Sequence, residues 1–147
     1  MPNQAKQDAM YMDIASRIAQ ESHANRSKVG CVIVKGTNIL SMGWNGMPSG
    51  FTNMCELPHE VMVNDVYYIT SQTDPYVLHA ESNAIAKLAQ STLSSEGSTV
   101  YVTLSPCLDC AKQLYQAGVV RLVYKDAYRD EAGLKFLNTA GVEVEKL

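Results

Sequence analysis

Four residues of this 147-residue chain have types and spacings suited to metal-assisted acid–base chemistry: His79, Glu81, Cys107 and Cys110. Cys107-Leu-Asp-Cys110 is a C-x-x-C pair. Such a pair can be a redox couple, half of a structural zinc knot, or two ligands of a catalytic zinc. A redox couple wants a thioredoxin-like context, which its surroundings do not offer. A zinc knot usually wants a second matching pair, and the chain has only two other cysteines, Cys31 and Cys55, far apart. The catalytic reading needs one further ligand and an open coordination position. His79, 28 residues before Cys107, offers an imidazole. A zinc held by one imidazole and two thiolates keeps a fourth position for water and lowers the pKa of that water to about 7. Glu81 lies two residues after His79 and can reach such a water without being a ligand, the position of a general acid/base.

For these residues to meet, two helix starts must share one end of a sheet. Apolar residues Tyr11, Ile14, Ala15, Ile18 and Ala19 recur at helical spacing, so residues 4–22 read as an amphipathic helix. Residues 29–34 and 39–44 read as a hairpin around Lys35-Gly-Thr-Asn38. Residues 45–75, with Gly46, Pro48, Gly50 and Pro58, show little periodicity and read as an irregular binding loop. Beyond them follow a helix over 80–90, a strand over 99–104, a helix over 107–117 stopped by Gly118, and a strand over 119–124. A helix over 130–140 and a short strand over 142–144 close the chain. The order α-β-β-α-β-α-β-α-β implies an α/β sheet covered by helices. His79-Ala-Glu81 opens one helix and Pro106-Cys107 the next, with one strand between them. Their N-termini therefore converge, and helix N-termini favour thiolates electrostatically.

Composition agrees with a small enzyme rather than a polymer binder. Hydrophobic residues make up 46% and charged residues 18%, enough for one domain over 1–147 with its own core. The net charge of −3 disfavours a nucleic-acid backbone as partner. No apolar run is long enough for a bilayer, and the N-terminus lacks a signal core, so no membrane partner and a cytoplasmic location are expected.

H-x-E followed by P-C-x-x-C is the pattern of zinc-dependent nucleobase deaminases. The likeness extends well beyond it. Gly43-Trp-Asn-Gly-Met-Pro-Ser-Gly50, His79-Ala-Glu-Ser-Asn-Ala-Ile85 and Tyr101-Val-Thr-Leu-Ser-Pro-Cys-Leu-Asp-Cys-Ala-Lys112 resemble the deoxycytidylate deaminases, as do Gln116-Ala-Gly118 and Ala140-Gly-Val142. Its compact form resembles phage-type members. The resemblance implies the cytidine-deaminase fold, a five-stranded mixed sheet sandwiched between helices. It implies hydrolysis of dCMP to dUMP and ammonia, which supplies thymidylate synthesis, at a Zn2+ held by His79, Cys107 and Cys110, with Glu81 as the proton carrier. It further implies that the Ala80 N–H holds the base carbonyl, the Ser105 carbonyl accepts from the amino group, and Asn45 bonds the sugar 3′-hydroxyl.

A nucleotide substrate also needs cations. Arg26-Ser27-Lys28 resembles the family's phosphate-side segment, and arginine suits phosphate bidentately. Tyr128 is placed near the pocket rim. Many relatives carry extra residues between this segment and the following Val-Gly, so the phosphate loop here has its own shape. Cys31, at a strand position where alanine is common, reads as a core thiol. Cys55, His59 and His23 do not make a convincing second zinc set. Many members are hexamers activated by dCTP, carried with Mg2+, and inhibited by dTTP. If that holds here, Gly46, Met47, Pro48 and Gly50 are the effector-loop candidates, since glycine lets backbone approach a ligand closely. Two rival readings remain: a deaminase of tRNA adenosine or single-stranded DNA, which should carry a basic groove, and a non-catalytic zinc or nucleotide sensor, which has no use for Glu81.

Overall fold

The computed structural model describes residues 3–147; Met1 and Pro2 of the N-terminal stretch read above lie outside the described residues. Helix α1 spans Gln4–Ala19 and is capped by Asn3, whose side chain accepts from the Lys6 N–H. It buries Asp8, Tyr11, Met12, Ala15 and Ala19; of the expected stripe Tyr11, Ala15 and Ala19 are buried, while Ile14 and Ile18 are half-buried against the same cluster. Strands β1 (Gly30–Lys35) and β2 (Asn38–Trp44) form the expected hairpin, turning at Gly36, whose φ of 62° suits a residue without Cβ.

The segment read as an irregular loop is instead largely a second hairpin, β3 (Glu56–Val63) and β4 (Val66–Thr73). Asn64 and Asp65 both have positive φ, 51° and 63°, as a two-residue type I′ turn requires. The pattern was obscured because the side chains of both strands are mostly exposed, so no buried face imposes alternation.

Helix α2 (Ala80–Ala89), β5 (Thr99–Leu104), α3 (Leu108–Gln116), β6 (Arg121–Asp126), α4 (Ala132–Thr139) and β7 (Glu143–Lys146) complete the chain. α1 and α4 stop short of the expected 4–22 and 130–140, and β6 and β7 start later than expected, with Val119 and Val142 as buried lead-ins to them. The sheet order is β2-β1-β5-β6-β7, antiparallel up to β5 and parallel from β5 to β7. This is the five-stranded mixed sheet expected from the resemblance.

Strand β1 is buried on both faces, and its side chains split by parity. Val32 and Val34 join Tyr101 and Val123 beneath α1. Cys31 and Ile33 join Val100, Val102 and Leu122 beneath the other helices. Cys31 is a fully buried core thiol, and burial raises its pKa. No helix among the described residues is long and apolar enough to cross a membrane.

A buried ion pair ties α1 to the sheet. Arg121 Nη1 and Nη2 donate to the two Asp8 carboxylate oxygens at 2.8 and 2.7 Å, and the Tyr101 hydroxyl donates to Asp8 at 2.6 Å. The Arg121 hydrogen bonds hold the Asp8 carboxyl at about 2, against an ordinary 3.8. Its folded pKa lies below its unfolded one, so this stabilisation is complete above pH 4 and is lost as pH falls through about 2. Asp8→Asn should therefore lose about 2–3 kcal/mol at pH 7, softened because Arg121 keeps Glu145. The gap from wild type should narrow between pH 4 and pH 2 in urea titrations. A gap independent of pH would contradict this assignment.

Candidate active site

The topology gathers the site at one end of the sheet. β2, β5 and β6 run in the same direction, so the segments after Trp44, Leu104 and Asp126 emerge together, beside the start of β1. Carboxyl ends of strands at such a rim are the usual location of ligand crevices in open α/β sheets. A cavity of about 580 Å³ lies there.

His79 and Cys107 occupy the N-cap positions of α2 and α3. His79 makes no capping hydrogen bond; its Nδ1 lies 3.3 Å from Cys110 Sγ and 3.6 Å from Cys107 Sγ. The three ligand atoms lie within 4.8 Å of one another. A tetrahedral zinc bound by imidazole and thiolates sets N and S atoms about 3.6 Å apart, so these residues fit that ion. The Cys110 N–H donates to Cys107 Sγ at 3.5 Å, and the Ser82 hydroxyl lies 3.8 Å from Cys110 Sγ. Burial, and next the Glu81 carboxylate, push the Cys110 thiol far up, so a dication is needed to hold it as thiolate. The ligands grade from exposed His79 through half-buried Cys107 to buried Cys110, and His79 and Cys107 also line the cavity. The centre thus has an open side.

Glu81, in the first turn of α2, lines the same cavity and is 4% exposed. Burial raises its pKa; its own backbone N–H and His79 oppose this. A carboxyl whose protonated form burial favours in this way can both take and return a proton.

Of the residues expected to bind substrate, Arg26, Ser27, Asn45, Ala80, Ser105 and Tyr128 all line the cavity. Ala80 is the first residue of α2, so its N–H has no acceptor within the helix. Asn45 braces the segment before β1: its Oδ1 accepts from the Val29 N–H at 2.9 Å and its Nδ2 donates to the Ser27 carbonyl at 2.8 Å. Ser105 Oγ accepts from the Tyr128 N–H at 2.6 Å, joining the rims after β5 and β6. Lys28 is exposed and is not among the cavity-lining residues, although Ser27 and Val29 on either side of it are. Gly46, Met47, Pro48 and Gly50 do not line it either; Gly46 instead pairs with Leu78 through two backbone hydrogen bonds of 3.1 and 2.8 Å. Cys55 is buried at the cavity wall, while His59 and His23 are exposed. Among the described residues, His79, Cys107 and Cys110 are the one such cluster.

Two charged lining residues, Arg129 and Glu56, escaped the sequence reading. Arg129 stands beside Tyr128 at the rim after β6, and its position after a strand end was the available signal. Glu56 begins β3, and its Oε1 accepts from the Asn25 and Arg26 N–H groups at 2.7 and 3.1 Å. Only knowledge of the second hairpin could have placed it there.

Residues 5–126 match the description of the cytidine and deoxycytidylate deaminase zinc-binding region. The chain is 37% identical to the deoxycytidylate deaminase of Enterobacteria phage T4, over 90% of this chain and 86% of that one. It is 35% identical to the deoxycytidylate deaminase of Homo sapiens, over 92% of this chain and 76% of that one. Its backbone superposes on the crystal structure of dCMP deaminase from the cyanophage S-TIM5, in complex with dCMP and dUMP. That match has a TM-score of 0.87 and 44% identity, with both chains fully covered. A zinc-type ligand cluster, a buried carboxylate in the same cavity and these likenesses agree, and the chain belongs to the cytidine and deoxycytidylate deaminase family.

Proposed function

We propose that this protein is a dCMP deaminase, converting dCMP and water to dUMP and ammonia. The observation that carries this reading is the convergence of His79, Cys107 and Cys110 beside the buried Glu81 in one nucleotide-sized cavity. The relative solved with dCMP and dUMP supports the choice of substrate. Zinc, when bound, supplies a water acidic enough to lose a proton near neutral pH.

The remaining work falls to the chain. Glu81 takes up that proton and delivers it to N3 of the cytosine, which makes C4 electrophilic. The water oxygen bonds to C4, and Glu81 then carries the proton of that new hydroxyl to the amine, so that the C4–N bond breaks, ammonia leaves and a carbonyl remains at C4. The Ala80 N–H holds the base carbonyl, and the Ser105 carbonyl accepts from the amino group. Asn45 faces the sugar, and Tyr128 covers the base. Arg26, Ser27 and Arg129 hold the 5′-phosphate at the cavity mouth.

The test is a substrate panel followed by ammonia release: dCMP, dCTP, cytidine and tRNA. Turnover should be confined to deoxycytidine nucleotides, with dCMP preferred. Cytidine or tRNA turned over as well as dCMP would overturn the proposal. Arg26→Ala and Arg129→Ala should each raise KM for dCMP about tenfold or more, with kcat little changed, because a charge-assisted contact to phosphate contributes about 1.5–3 kcal/mol. Unchanged KM in both variants would contradict their assignment.

Regulation is the finer part of the proposal. In the loop 46–50, Gly50 has a φ of 87°, and a Cβ at Gly46 or Gly50 would meet nothing within 4 Å. This open backbone outside the cavity supports an effector site. At low dCMP, dCTP supplied with Mg2+ should raise the rate and dTTP should lower it. Flat rate curves with both nucleotides would remove this reading.

A further inference from the structure

The two sulfurs of the metal cluster are supported differently. Cys107 Sγ accepts from a backbone donor, the Cys110 N–H, at 3.5 Å. For Cys110 Sγ, apart from the other two ligands, the Ser82 hydroxyl at 3.8 Å is the one donor within hydrogen-bond reach among the described residues. Glu81 also faces this sulfur, but a carboxylate can only accept. Cys110 is the most buried of the three ligands, so as a thiolate it carries charge that solvent does not reach.

The Ser82 hydroxyl meets Gln113 Oε1 as well, at 3.1 Å. Ser82 follows His79 by three residues, and Gln113 follows Cys110 by three. Residues three apart are neighbours on a helix, so each partner lies one turn on from a metal ligand, on the same face. Half-buried Ser82 on α2 and exposed Gln113 on α3 thus bridge the two helices beside the Cys110 sulfur.

From this geometry we propose that Ser82 is a positioning residue of the metal centre: its hydroxyl donates to the metal-bound Cys110 sulfur, and Gln113 directs that proton. A hydroxyl has one proton and two lone pairs. While Ser82 donates to Gln113 Oε1 it has no proton for the sulfur. A thiolate only accepts, so the loaded site favours turning the proton to Cys110. A lone pair of the hydroxyl then faces Gln113, whose amide answers by rotating to present its Nε2–H. A glutamine can hold the serine in either orientation, whereas a carboxylate holds it only as a donor. Partners of this kind orient a ligand and moderate its donation to the metal, and their loss costs about 10–100-fold in metal affinity or activity.

The inference rests on the metal reading of the site and not on the choice of dCMP, so its test reads the metal. The full chain is loaded with zinc and, in parallel, with cobalt(II), whose thiolate charge-transfer band reports electron donation by sulfur. Ser82→Ala should release zinc to a chelator about tenfold faster. Its cobalt band should move to longer wavelength, because a sulfur without its hydrogen bond gives up electron density more readily. Ser82→Thr keeps the hydroxyl and should restore both properties. Gln113→Glu keeps the contact to Ser82 but can only accept, so it should move the band in the same direction. Combined with Ser82→Ala it should add no further shift, since both changes act through one proton. An unchanged band or release rate in Ser82→Ala, or shifts that add in the double variant, would overturn the proposal. A wild type that gives no thiolate band with cobalt would overturn the metal reading itself, and this inference with it. Failure to turn over dCMP would overturn only the choice of substrate.

Discussion

Glu81→Gln should abolish dCMP turnover while the protein stays folded and keeps its zinc. The glutamine has the shape of the glutamate but cannot shuttle a proton. Proton carriers of this kind contribute about 10²–10⁴-fold, and a residue that serves two successive transfers should fall at the upper end. The metal ligands are untouched, since Glu81 lies outside the His79, Cys107 and Cys110 cluster. Removing a buried carboxyl whose pKa burial has raised relieves a desolvation cost, so the variant should melt no lower than wild type. Steady-state kinetics, metal analysis and a thermal melt on one preparation would check all three expectations. A variant retaining a tenth of wild-type kcat would refute the assigned role.

Gly133→Ala should damage the metal centre from the far side of α3. A Cβ at Gly133 would sit 2.1 Å from the Pro106 carbonyl oxygen and 2.9 Å from the Cys107 carbonyl carbon and oxygen. These are backbone atoms of the turn that carries the zinc thiolates, so no side chain can swing aside. Either α4 moves off the sheet or the turn moves with Cys107. Overpacking of this kind costs about 1–3 kcal/mol. A displacement of about 1 Å at a reacting centre can cost about 10²-fold in rate. We expect weakened zinc retention against a chelator and at least a tenfold loss in kcat for dCMP. Full zinc occupancy with wild-type kcat would show that α4 yields without disturbing the turn. The effect arises without any change to a ligand, which separates it from Glu81→Gln, where zinc is kept and chemistry is lost.

The two substitutions also mark the limit of what was readable in the residues alone. Local and periodic signals were legible. Two helix starts separated by one strand placed His79 and Cys107 at a common sheet end, because a crossover helix returns the chain to the same side. The five strands of the main sheet were legible because burial on one or both faces imposes apolar runs. The β3–β4 hairpin was not, because its side chains face outward and its turn, Asn64-Asp65, lacks the glycine that usually marks such a turn. With the hairpin unseen, Glu56 could not be placed beside Arg26.

The sequence by itself determined the chemistry: ligand types, their order, the carboxylate two residues from the imidazole, and the family. Short-range spacing suffices for these because a helix start converts sequence neighbours into spatial neighbours. Only the tertiary structure decided which cations face the cavity, that Asn45 braces the Ser27–Val29 backbone, and that Gly133 lies against the metal turn. Those relations join segments 16 to 103 residues apart or depend on which way a loop turns, and no local propensity encodes a distance between chain segments that meet only after packing.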